Sequence, residues 1–90
     1  MTPEDVRQRM RQFFDCVAEE RQIHDQLAAL RFMDVTEREL AVSCQRQQEL
    51  LAQLDRLRQE RMVPLMAELS AFVAEGREQL LRDASRKPQR

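Results

Sequence analysis

Glu20 and His24 stand one helical turn apart, and Cys16 and Cys44 lie on either side of them in the chain. A carboxylate and an imidazole on one helix face can share a metal ion or relay a proton. A di-iron helix, however, carries Glu and His three apart rather than four. A zinc helix of the HExxH type needs two histidines, and this chain has one. On an apolar seam the same pair reads alternatively as a polar layer that sets register. A tight chain reversal at residue 34 would place His24 opposite Cys44 and Glu20 near Gln47 or Gln48. The resulting thiol–imidazole dyad would lack a third orienting group and an oxyanion site. On that reversal Cys16 and Cys44 fall about two helical turns apart, so they are expected to remain free thiols. The chain contains no Gly-rich phosphate loop, zinc-ligand cluster or nucleophile elbow. These patterns predict a protein without catalytic, cofactor or metal residues.

The elements that carry these side chains are helices. Thr2-Pro3-Glu4-Asp5 is a helix start: Thr caps, Pro suits the first helical position, and the acids complement the helix dipole. Val6, Met10, Phe13, Val17, Glu20, His24 and Leu27 then recur at spacings of three and four, flanked by Cys16, Ile23 and Leu30. A helix over about 3–32 follows, with Phe14 off its seam. Thr36 and Glu39 have the spacing of a capping box, and Val35 with Leu40 that of a hydrophobic staple. Beyond them Leu40, Ser43, Gln47, Leu50, Leu54 and Leu57 form a second seam, widened by Cys44 and Leu51.

Pro64 interrupts this second helix. The seam before it ends at Leu57 and Arg61, and it resumes in a shifted phase as Met62, Met66, Leu69, Val73, Gly76 and Leu80. Two outcomes are open: a kink in one long helix, or a break that starts a third helix folding back. The scarcity of turn formers between Arg58 and Leu65 favours the kink. The expected fold is all-α, an antiparallel hairpin or three-helix bundle with coiled-coil character. One domain spans 1–84, with helices at about 3–32, 36–62 and 64–84, followed by a disordered basic tail at 85–90. Gly76 and the Ala-rich stretch around it would permit close approach by another helix.

Composition agrees. Of 90 residues 34% are charged, one is Gly and none is Trp or Tyr, a profile of long helices. A net charge of −1 gives no general attraction to nucleic acid, and the four Phe are not interleaved with a basic patch. No apolar run approaches the ~20 residues of a membrane span. Charges near the N-terminus interrupt any signal sequence, and two cysteines without one suggest a reducing, cytoplasmic setting.

Glu39, Arg46-Gln47-Gln48-Glu49-Leu50-Leu51, Leu54, Leu57 and Arg61 together resemble flagellar and type III export chaperones of the FlgN and FliT kind. The resemblance implies a small cytoplasmic chaperone that keeps an amphipathic helix of an export substrate soluble. It also implies a client-binding C-terminal helical region, here Met62 to Leu81. The apolar stripe is longer than a hairpin readily covers by itself. The expected activity is therefore a non-enzymatic protein-binding module that buries a partner helix on Leu57, Met62, Leu65, Met66, Leu69, Phe72, Val73 and Leu80. The alternative is a structural coiled-coil subunit of a permanent homo- or hetero-oligomer, with the stripe as its assembly seam.

Overall fold

The computed structural model describes residues 1–86 and is an antiparallel helical hairpin. Helix α1 (Pro3–Ala28) packs against one long helical run made of α2 (Glu37–Leu57), a π-helical turn (Arg58–Met62) and α3 (Val63–Arg86). At about 1.5 Å per residue that run is about 75 Å long. The longest dimension of the molecule is 76 Å, so α3 continues in line and does not fold back. No strand occurs among the described residues. Ser85 and Arg86, expected in the tail, belong to α3, and residues 87–90 lie outside the described part.

The start of α1 forms as its residues dictate. The Thr2 hydroxyl accepts from the Asp5 amide at 3.2 Å, and the Asp5 carboxylate accepts from the Thr2 amide at 3.1 Å. This is a capping box with Asp in place of the usual Glu, and it satisfies two amides that have no partner within the helix. These Thr2 bonds, the backbone one foremost, hold the Asp5 carboxyl below its ordinary range.

The helix ends earlier than its expected limit near Phe32. The Ala29 amide donates to the Asp25 carbonyl at 3.1 Å, and the Leu30 amide donates to the Leu27 carbonyl at 3.2 Å. That last, tighter bond winds the chain off the helix. The reversal is completed at Asp34, whose φ of 57° is left-handed, a conformation that Asp tolerates better than most residues. The Thr36 hydroxyl then accepts from the Glu39 amide at 3.2 Å and starts α2.

The core comprises Cys16 and Ile23 of α1 with Leu50, Leu54, Leu57 and Met62 of the long run. Phe13, Leu27, Leu30 and Leu65 pack around it. Inward positions on α1 are Val6, Arg9, Phe13, Cys16, Glu20, Ile23, Leu27 and Leu30. Half of the expected seam is therefore displaced by one residue. Met10, Val17 and His24 face out, while Cys16 and Ile23 form the centre. The two assignments lie on adjacent stripes of one broad apolar face, and the core falls on the stripe that α2 covers.

The π-helical turn resolves the phase shift at Pro64. A π-turn inserts one extra residue into the helical ladder. Here the Val63 amide donates to the Arg58 carbonyl, five residues back. Inward positions before the turn are Leu50, Leu54 and Leu57; after it they are Met62, Leu65, Leu69 and Phe72. The step from Leu57 to Met62 is one longer than a coiled-coil seam allows, and the inserted residue absorbs it. The wider turn also relieves the crowding that a proline ring imposes on the preceding turn.

Candidate functional site: an uncovered apolar face

The groups that could do chemistry do not assemble. Glu20 is half-buried and accepts from Arg58 Nε at 2.9 Å, whereas His24 is exposed. Cys44 is exposed, and its neighbour Ser43 borders the same hollow as Ala29 and Leu30. This puts Cys44 beside the C-terminal end of α1, beyond the level of His24. The expected pairing of His24 with Cys44, and of Glu20 with Gln47 or Gln48, is not observed. The connection Ala29–Thr36 runs beside the first turns of α2 instead of reversing tightly, which offsets the two helices. Cys16 lies buried in the core, and both cysteines are free. Among the described residues no three His, Cys, Asp or Glu side chains gather as a metal site.

What does assemble is a hairpin with two contrasting faces. In heptad terms the inward residues Val6, Phe13, Glu20 and Leu27 are a positions, and Arg9, Cys16, Ile23 and Leu30 are d positions. In an antiparallel pair the g positions of both helices then share one face, and the e positions share the other.

The g face is polar. It carries Gln12, Glu19 and Gln26 from α1 and Arg46, Gln53, Glu60 and Glu68 from the long run. Charged bonds cross the hairpin here or next to it. Arg61 Nη1 donates to Glu19 at 2.7 Å, Arg9 Nε to Glu68 at 2.6 Å, and Arg46 Nη2 to the Gln26 side-chain oxygen at 2.9 Å. The bond to Glu19 raises the affinity of Arg61 for its proton further above the ordinary guanidinium range. Exposed pairs of this kind add little stability, but they select one register over its neighbours.

The e face is apolar. It carries Met10 and Val17 from α1 and Leu51, Met66, Val73 and Leu80 from the long run, all exposed. Met10, Phe13, Met66, Leu69, Ser70 and Val73 line one open hollow between the helices. Exposure rises toward the end of α3, from 52% at Met66 through 59% at Val73 to 71% at Leu80. The interruptions are His24 and Arg58, and Arg58 turns aside to Glu20.

The partner-binding residues expected from the sequence therefore divide into three groups. Leu57 and Met62 are buried in the intramolecular core and offer nothing to another chain. Leu65, Leu69 and Phe72 are half-buried at the base of the face. Met66, Val73 and Leu80 stand open on it. The sequence reading missed the contribution of α1, namely Met10, Val17 and Phe14 beside them, the last 60% exposed. Their signal is present in the sequence as a second apolar stripe on α1, which has the spacing expected of the core seam.

Past the N-terminus of α1 the pattern becomes more pointed. There the a and d positions of α3 are Gly76, Gln79 and Asp83, so the seam facing α1 stops being apolar where α1 stops. The e position remains apolar as Leu80, with Leu81 beside it. A Cβ added to Gly76 would meet nothing within 4 Å, so no neighbour in this chain requires the glycine.

The fold and this face define an all-α helical hairpin with an uncovered apolar side. No family model, curated protein or solved structure matches the chain. No described helix is long and apolar enough to cross a membrane.

Proposed function

We propose that the chain is a non-enzymatic helix-binding module, a small cytoplasmic adaptor or chaperone that buries an amphipathic helix of another polypeptide on its e face. The observation that carries this reading is the asymmetry of the two faces. Both helices place charged and amide side chains on one side and Met, Val and Leu on the other, and the apolar side persists beyond the end of α1. A two-helix coiled coil needs apolar residues at a and d alone; an additional apolar position is the mark of a helix with a further neighbour. Recognition would follow helix-in-groove physics, with Met66, Val73 and Leu80 as anchors. The resemblance to export chaperones points the same way and suggests an export substrate as the client.

The second reading is a coiled-coil subunit of a permanent assembly. It is favoured by the length of the face, which runs from Leu51 to Leu80, about 43 Å at 1.5 Å per residue. Affinity capture from the source cells with the wild-type chain and with Met66→Asp tests the first reading. A client recovered by the wild type should fall at least tenfold with the variant. Equal recovery by both would remove the e face from the binding site. A chain that is insoluble alone and rescued by co-expression with a fixed companion would favour the second reading.

A further inference from the structure

We propose that in the free protein the e face is covered by a second copy of the chain, its long helix laid antiparallel about a two-fold axis near Met62, to give a four-helix bundle. This inference rests on the reading that the e face buries a helix, and it names the occupant.

Area is the first argument. The chain exposes 7680 Å². A compact chain of 10.7 kDa would expose about 5,500 Å² by the scaling of surface with mass. The excess is on the order of 2,000 Å², within the range that one subunit covers in a large obligate homodimer.

Spacing is the second argument. The e positions of the long run are residues 44, 51, 58, 66, 73 and 80, and with the inserted residue of the π-turn the series centres on residue 62. In a two-fold interface residue i meets j and j meets i. Antiparallel pairing about 62 sets Leu80 on Cys44 of the other copy and Leu51 on Val73. The flanking residues then oppose Asp55 to Ser70 and Gln48 to Arg77, with no like charges facing.

Geometry is the third. The long run spans Glu37–Arg86, so its midpoint also lies next to residue 62. Helix α1 spans Pro3–Ala28, and Cys16, near its middle, packs in the core with Met62. The same axis therefore bisects both helices. The end of α3 that projects past α1 is received by the first turns of α2 in the other copy, which project past its own α1. Phe14 and Val17 of one α1 meet Val17 and Phe14 of the other, which accounts for an exposed phenylalanine off the core seam.

Sedimentation of the full chain, alone and as Leu80→Cys under mild oxidation, tests the arrangement. The expected result is a particle of twice 10.7 kDa, converted by Leu80→Cys to a disulfide-linked dimer through Cys44 of the other copy. The crosslink should vanish when Cys44→Ser is added, because the two introduced thiols lie far apart. Val73→Lys, at an exposed position, should give a monomer with unchanged helicity. A wild-type monomer whose client capture is still lost on Met66→Asp overturns the dimer and leaves the helix-binding reading standing. A dimer that ignores both Leu80→Cys and Val73→Lys overturns this interface. A monomer that captures nothing overturns both.

Discussion

Glu20 and Arg58 pair at 2.9 Å although 38 positions separate them, and this bond reports the true register of the hairpin. A tight reversal at residue 34 would have put Glu20 beside Gln47 or Gln48. The observed offset of about three turns arises because the connection from Ala29 to Thr36 travels beside α2 before the chain turns at Asp34. Glu20→Gln should lower the urea midpoint slightly and lose its effect in 1 M salt, where charges are screened within roughly 3 Å. An equal loss at high and low salt would mean that Glu20 acts through packing and not through its charge.

Leu50 is fully buried at the centre of the small core. Leu50→Ala should cost about 2–5 kcal/mol, the range for a leucine truncated in a packed site. A hairpin of this size has little stability in reserve, so the variant is expected to lose most of its helical circular dichroism at room temperature. Leu51→Ala, one position along and exposed, should leave a dilute, monomeric sample nearly unchanged. Comparable losses at both positions would place the core on the wrong stripe.

Much of this fold is legible in the sequence. Thr2, Pro3 and Asp5 announced the start of α1, and Thr36 that of α2, because capping is local chemistry. Leu50, Leu54 and Leu57 announced the inner seam of α2. The phase shift at Met62 was visible as well, but its remedy was not: a kink, a break and a π-turn leave the same trace in a sequence. On α1 the choice between the stripes of Met10 and Val17 and of Cys16 and Ile23 was not local either. Both have helical spacing, and only the register against α2 separates them. The apolar e face is only partly legible for the same reason, since Met10 and Val17 also have the spacing of a core seam.

The π-turn itself is open to test. If it exists to keep Leu57, Met62 and Leu65 on one seam, deleting Gln59 should remove the extra residue and the wide turn together, leaving Leu57 and Met62 at the step of a regular coiled-coil seam. Met62, Leu65, Leu69 and Phe72 would then keep their places against α1. The deletion should therefore leave the thermal midpoint unchanged or raise it. A shortened chain with a lowered midpoint would show that the turn answers to the crowding at Pro64 and not to the seam.

Asp5 ties the beginning of α1 to pH. The folded Asp5 carboxyl is held below its ordinary range by the Thr2 bonds, so the unfolded state binds the proton more readily. The stabilisation is complete above the unfolded carboxylate value of about 3.9 and is lost as pH falls through the lower folded value. Asp5→Asn should remove this pH dependence, and amide exchange in the first turn should become faster above that value. Retention of the full acid dependence in Asp5→Asn would assign it to other carboxylates.

Gly76 separates a helix that ends in solvent from one that meets another chain. Within this chain its added Cβ would touch nothing, and its backbone has no positive φ. For the isolated molecule Gly76→Ala should therefore stabilise α3 by about 1 kcal/mol, the helix-propensity difference between the residues. If another helix approaches closely at this point, the methyl group intervenes and the gain is offset. Thermal unfolding as a function of concentration distinguishes the cases. A raised midpoint at every concentration means that Gly76 faces open water. A midpoint raised in dilute samples but lowered in concentrated ones places the glycine in a helix–helix contact between chains.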